Sequence, residues 1–147
     1  MSDWDARFLN LARHVAGWSK DPSTQCGAVI VDERRRIVGI GYNGFPRDVD
    51  DTAWRYADRA IKYRFVVHAE ANAILNANSK LEGCTVYVWP FSPCAECAKL
   101  LIQAGIDEVV SPVADNETRN RWADSLDAAE TMFAESGVIT HTVKLEA

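Results

Sequence analysis

Cys26-Gly27-Ala28-Val29-Ile30-Val31, then Asp32-Glu33-Arg34-Arg35-Arg36, then Ile37-Val38-Gly39-Ile40-Gly41-Tyr42, read together as a β-hairpin. The first segment is short, apolar and β-branched, the mark of a buried strand, and the charged run is its turn. Upstream, Trp4, Phe8, Leu11, Val15 and Trp18 recur in steps of four and three, one apolar helix face that Asp21-Pro22 stops. Downstream, Asn43-Gly44-Phe45-Pro46 is a turn, and the polar stretch 48–62 reads as a loop with one short helix. A helix is expected over 67–77 and a strand over 85–89. Ser92 as N-cap and Pro93 in the first turn start a second helix that Gly105 ends. A strand over 108–111, a long helix over 117–135 closed by Gly137, and a last strand over 138–145 complete the chain. Strands alternating with helices after an initial hairpin predict an α/β fold, a three-layer α/β/α sandwich around a mixed five-stranded sheet.

The chain has 147 residues, 48% of them hydrophobic and 25% charged, which excludes disordered and low-complexity classes. No repeat or linker divides it, so one domain over 1–147 is expected. Sixteen basic against twenty-one acidic residues give a net charge of −5. That is the wrong sign for non-specific binding to nucleic acid or an anionic membrane, so neither is an expected partner. No apolar run approaches the ~18–20 residues of a membrane span, and Met1-Ser2-Asp3-Trp4 lacks a signal peptide's basic and apolar regions. A cytoplasmic location is expected. There, Cys26, Cys84, Cys94 and Cys97 are thiols or metal ligands rather than a disulfide framework.

His68-Ala69-Glu70 and Pro93-Cys94-Ala95-Glu96-Cys97 carry the chemistry. Cys94 and Cys97, three apart at a helix start, put both sulfurs on one face, where the helix dipole favours thiolates. His68 and Glu70, two apart, would diverge in mid-helix. In a first turn they surround one point off the helix end. Brought together, one imidazole and two thiolates supply three zinc ligands and leave a fourth position for solvent, as catalytic zinc sites do. Glu70, beside the metal and spare as a ligand, is placed as general base. A Cys-x-x-Cys read alone also fits a redox pair or a structural zinc with Cys84 or Cys26 as fourth ligand. The upstream His-x-Glu favours the catalytic site. Cys26 and Cys84, at strand starts, read as small buried hydrophobes.

His-x-Glu followed by Pro-Cys-x-x-Cys is the pattern of zinc-dependent base deaminases. The chain resembles the deoxycytidylate (dCMP) deaminase family over about 16–110. The likeness lies in Ser19-Lys20-Asp21-Pro22, Gly41-Tyr42-Asn43-Gly44-Phe45-Pro46, Val67-His68-Ala69-Glu70-Ala71-Asn72-Ala73-Ile74, Gly83-Cys84-Thr85-Val86-Tyr87-Val88, Pro93-Cys94-Ala95-Glu96-Cys97-Ala98-Lys99 and Ile102-Gln103-Ala104-Gly105-Ile106. The resemblance implies a cytidine-deaminase-like fold and hydrolysis of dCMP to dUMP and ammonia. It implies one catalytic zinc per chain on His68, Cys94 and Cys97, Glu70 as proton shuttle, and Asn43 at the nucleotide's sugar. It also implies a homo-oligomer, hexamer or dimer, with dCTP and dTTP as effectors. Two segments depart from the family: Trp89-Pro90-Phe91-Ser92-Pro93 is one residue longer, and Arg47-Asp48-Val49-Asp50-Asp51 lacks a glycine-cysteine-serine run.

Other candidates are Ala69, beside the substrate, and Ser23 and Thr24, whose hydroxyls suit a phosphate. Trp89 and Phe91 suit pocket walls or base stacking. Arg47, Arg55, Arg59, Lys62 and Arg64 form a basic stretch that reads either as a solvated face or as phosphate capture, with Arg64 the candidate. Arg119, Arg121 and Trp122 fit an interface or lid. His14 and His141 read as structural or solvated. The residues alone leave deoxycytidine, cytidine, CMP or a 5-substituted dCMP open as substrates, and a non-catalytic nucleotide-binding protein with structural zinc is the alternative class.

Overall fold

The computed structural model describes residues 3–146. Its strands are β1 Gly27–Val31, β2 Ile37–Tyr42, β3 Thr85–Trp89, β4 Glu108–Pro112 and β5 Ile139–Val143. They form one sheet in the order β2-β1-β3-β4-β5. β1 runs antiparallel to β2 and β3, whereas β3, β4 and β5 are mutually parallel, so the sheet is mixed as expected.

All of β1 is buried because helices cover both faces of the sheet. Strand periodicity sends Ala28 and Ile30 into one core with Val86, Val88 and Val109. Val29 and Val31 enter the other, with Tyr87 and Val110. The helix α1 Asp3–Ala16 covers this second face. The first is covered by α4 Ala69–Asn76, α5 Ala95–Ala104 and α7 Ala123–Ser136. This is the three-layer α/β/α sandwich.

Several boundaries differ from expectation. α1 buries Phe8, Leu9, Ala12, Val15 and Ala16. Trp4 and Trp18 stay 38% and 53% exposed. The rotation follows from how α1 approaches Gly27, where a Cβ would stand 2.2 Å from the Ala12 carbonyl oxygen and 2.6 Å from the Ala16 nitrogen. Backbone rests on backbone there, while Trp4 stacks on Phe8 and Trp18 lies edge-on to Tyr42. The stretch read as loop plus one helix holds two, α2 Ala53–Ala57 and α3 Arg59–Phe65. Asp58 separates them and caps α3, accepting the Ile61 N–H at 3.2 Å. The long helix expected over 117–135 breaks at Trp122 into α6 Asn116–Arg121 and α7. Gly105 and Gly137 end α5 and α7 in the left-handed region, as their sequence positions implied.

One contact positions everything that follows. α4 lies directly on β2, where a Cβ on Gly41 would stand 2.3 Å from the Ala73 nitrogen and 2.4 Å from the Ala69 carbonyl oxygen. From α4, Asn72 Nδ2 donates to the Tyr42 carbonyl at 2.8 Å and Asn76 Nδ2 to the Ile40 carbonyl at 2.9 Å. These carbonyls belong to an edge strand, and the two amides satisfy acceptors that the sheet leaves unpaired. Among the described residues no helix is long and apolar enough to cross a membrane.

Candidate active site

The N-termini of α4 and α5 converge. Val67 is not helical as expected. Its N–H donates to the Gly44 carbonyl at 2.7 Å and its carbonyl accepts the Gly44 N–H at 3.1 Å. The two-residue bridge holds His68 extended as the N-cap, and α4 starts at Ala69. Likewise the N-cap of α5 is Cys94 rather than Ser92, with an extended φ of −69° and ψ of 170°. The helix therefore begins at Ala95, and Pro93 stands just before the cap rather than in the first turn. Ser125 of α7 accepts the Ala95 N–H at 2.9 Å, fastening α7 to the start of α5.

His68 Nδ1 lies 3.4 Å from Cys94 Sγ and 3.3 Å from Cys97 Sγ. All three donor atoms fall within 4.8 Å of one another, and this is the group of possible metal ligands among the described residues. Zinc bonds of about 2.0–2.1 Å to nitrogen and about 2.3 Å to sulfur at tetrahedral angles separate neighbouring ligands by roughly 3.5 Å. The donor set and its spacing therefore fit zinc. Without metal, hydrogen bonds from Cys97 and His68 hold the Cys94 thiol well below its usual range, and the Cys94 partnership pushes Cys97 up.

Glu70 follows His68 by two residues and is 8% exposed. Burial raises its carboxyl to about 7. It shares a cavity of about 320 Å³ with His68 and Cys94. The walls are Trp89, Phe91 and Trp122 on one side and α2–α3 residues Tyr56, Arg59, Lys62 and Tyr63 on another. The segment 21–24 and Asn43 complete the lining. A planar ring with a polar edge and a charged tail suits such a space.

Asn43, Ala69, Ser23, Thr24 and Phe91 all line this cavity with Glu70, His68 and Cys94. Arg64 does not. It lies on α3 away from the cavity, which Arg59, Lys62, Tyr63 and Val66, at spacings of three and four, line instead. Asn43 is 6% exposed and already engaged. Its Oδ1 accepts the Cys26 N–H at 2.8 Å, and its Nδ2 donates to the Thr24 carbonyl at 3.0 Å. Cys26 lines the cavity, and burial pushes its thiol up to about 12. Cys84 is buried in the core formed with α4, α5 and α7. His14 lies against Trp18, and His141 is 3.6 Å from Glu108, so neither joins the site. Sequence reasoning missed Asp21, Tyr56, Trp122's place in the wall and Ser125. Of these only Asp21 stood in a quoted motif, where it read as a helix stop.

The model of the cytidine and deoxycytidylate deaminase zinc-binding region matches residues 2–112. The chain is 45% identical over 138 residues to an uncharacterized deaminase of Aliivibrio fischeri, covering 94% of this chain and 92% of that protein. It is also 45% identical over 142 residues to human deoxycytidylate deaminase, covering 92% of this chain and 77% of the human one. The crystal structure of the cyanophage S-TIM5 dCMP deaminase with dCMP and dUMP superposes with a TM-score of 0.73 at 21% identity. The superposition covers 97% of this chain and 99% of the phage protein, a likeness of fold. With a model match across most of the chain and relatives of this identity, the protein belongs to the cytidine and deoxycytidylate deaminase family.

Proposed function

We propose that the protein is a cytoplasmic enzyme that hydrolyses the exocyclic amine of dCMP, using one water, to give dUMP and ammonia. The observation that carries this reading is Glu70, buried two residues from His68 and opening into the same cavity as His68 and Cys94. The human relative is named deoxycytidylate deaminase, which supports dCMP as the substrate.

His68, Cys94 and Cys97 would hold one zinc ion. When bound, it supplies the Lewis acidity that makes water a competent nucleophile near neutral pH. Glu70 would take a proton from the attacking water as the C4–O bond forms and deliver it to ring N3, then take the second proton from the C4 hydroxyl and give it to the amine as the C4–N bond breaks and ammonia leaves. Burial of Glu70 raises its affinity for the proton it carries. Trp89 and Phe91 flank the ring and exclude water, and the Ala69 side of α4 sets the floor. Asn43 fixes the wall beside the sugar. Ser23 and Thr24 offer hydroxyls toward the phosphate.

We include in the proposal a homo-oligomer responsive to dCTP and dTTP. Leu75 on α4 and Leu100 on α5 are 75% and 48% exposed, apolar surface that a second copy would cover. Light scattering of the purified protein, with and without each nucleotide, tests this part.

The activity is tested by steady-state ammonia release from dCMP, deoxycytidine, cytidine and CMP, with zinc content measured on the same samples. We expect dCMP to be preferred. Glu70→Gln should keep about one zinc per chain and lose roughly 10²–10⁴ in rate, the usual worth of positioned acid–base catalysis. Wild-type turnover by that variant would remove Glu70 from the mechanism, and zinc-loaded wild type inert on dCMP would end the substrate assignment.

A further inference from the structure

Arg121, the last residue of α6, lines the catalytic cavity and also a second cavity of about 320 Å³ beside it. The two share Thr24, Phe91, Arg121 and Trp122. Phe91 and Trp122 stack with centroids 6.5 Å apart, so the partition is aromatic and Arg121 is its charged member. The guanidinium carbon sits 5.3 Å from the centroid of the Trp122 ring. A π-face steers a guanidinium without consuming its N–H donors. Among the described residues no ion pair ties Arg121 to an acidic side chain.

The other cavity cations differ. Lys62 is committed to Asp21 at 2.8 Å. Arg59 lies 5.9 Å from the Tyr63 ring, a looser stacking than Arg121 has on Trp122. Location agrees with chemistry. Ser125 touches the first N–H of α5, next to Cys94. Arg121 precedes it by four residues, across the break at Trp122, and lines the same cavity as Ser125. Glu70 and Arg121 line one cavity, so a single bound molecule can meet both. The matched zinc-binding region, common by its description to cytidine and deoxycytidylate deaminases, ends at residue 112. Arg121 lies outside that region.

We propose that Arg121 is the specificity-determining residue that binds the 5′-phosphate of the substrate, through charge-assisted hydrogen bonds from its guanidinium. The inference rests on reading the substrate as a nucleoside monophosphate. Trp122 aims the guanidinium, and Phe91 supports Trp122.

The test is steady-state kinetics of zinc-loaded wild type, Arg121→Gln, Arg121→Lys and Arg59→Gln on dCMP and deoxycytidine. Arg121→Gln should raise KM for dCMP on the order of 10–100-fold, the worth of hydrogen bonds to a charged group, while kcat holds. The preference for dCMP over deoxycytidine should fall by a similar factor. Arg121→Lys should recover part of the loss, because it restores charge without the two-pronged geometry. An unchanged KM in Arg121→Gln, a fall in kcat at constant KM, or a KM effect confined to Arg59→Gln would overturn the assignment while leaving dCMP as substrate. Wild type that turns over deoxycytidine but not dCMP would overturn the substrate reading itself, and this assignment with it.

Discussion

Lys62 Nζ donates to Asp21 Oδ1 at 2.8 Å with the two side chains 13% and 3% exposed, a buried ion pair in the wall of the catalytic cavity. The same Asp21 oxygen accepts the Ser23 N–H at 2.8 Å and the Thr24 N–H at 3.2 Å. One carboxylate therefore ties α3 to the segment that carries the two candidate phosphate hydroxyls. Removing one partner of a buried pair strands the other, at a cost of about 3–5 kcal/mol. Asp21→Asn and Lys62→Met should each lower stability by about that amount in urea unfolding. The double variant Asp21→Asn with Lys62→Met should recover much of it, since neither charge is then left alone. Additive losses in this cycle would show that the pair is not coupled.

Asn43 is expected to matter to folding as well as to the substrate. Its Oδ1 and Nδ2 hold Cys26 and Thr24, so an alanine leaves a backbone N–H and a carbonyl without partners. An unsatisfied buried group costs about 1–3 kcal/mol, and Asn43→Ala should lose stability on that scale. Circular-dichroism melts in urea measure it. A variant as stable as wild type but poor in KM would assign Asn43 to the sugar alone.

Tyr87 sets an alkaline limit. Its hydroxyl donates to Asp5 Oδ1 at 2.8 Å. Burial first, and that hydrogen bond second, push the phenol above its usual range. In the unfolded chain the phenol ionises near pH ~10. Above that pH the unfolded state sheds a proton that the folded state keeps. Stability is thus full below pH ~10 and declines as pH rises toward the folded value. Urea midpoints at about pH 8 and about pH 10.5 should differ less in Tyr87→Phe than in wild type. An equal drop in both would clear Tyr87 of this role.

The metal-ligand group was legible because its information is local. His68 with Glu70, and Cys94 with Cys97, are each fixed by one helix start, and the five strands and the mixed sheet follow from strand patterning. What escaped the sequence was non-local. Asp21 and Lys62 are 41 positions apart, and Ser125 and Ala95 are 30 apart, so no periodicity joins them. Arg64 and Lys62 are equivalent in composition, and only the docked orientation of α3 decides which reaches the cavity. The short helices α2 and α3 are too brief to persist on propensity and depend on packing, such as Phe45 stacked on Tyr56 at 4.3 Å. Trp122 interrupts a run whose periodicity looks continuous, because its indole is used in the wall against Phe91.

Gly41 gives the sharpest link between fold and chemistry. A methyl group there would stand 2.3 Å from the Ala73 nitrogen and 2.4 Å from the Ala69 carbonyl oxygen, both backbone atoms of α4. Neither atom can swing aside as a side chain does, so Gly41→Ala must move the helix. Overpacking of this kind costs typically about 1–3 kcal/mol. The displacement falls on the turn that carries His68 and Glu70, while Cys94 and Cys97 stay with α5. The imidazole is then drawn out of register with the two sulfurs. We expect weaker zinc retention in competition with a chromophoric chelator, together with lower stability. The control is Gly137→Ala, where no atom lies within 4 Å of the added carbon and φ is 83°. Its strain is confined to the end of α7, so it should lose stability but hold zinc as wild type does. Equal zinc affinity in Gly41→Ala and wild type would mean that the ligands do not depend on how closely α4 meets β2.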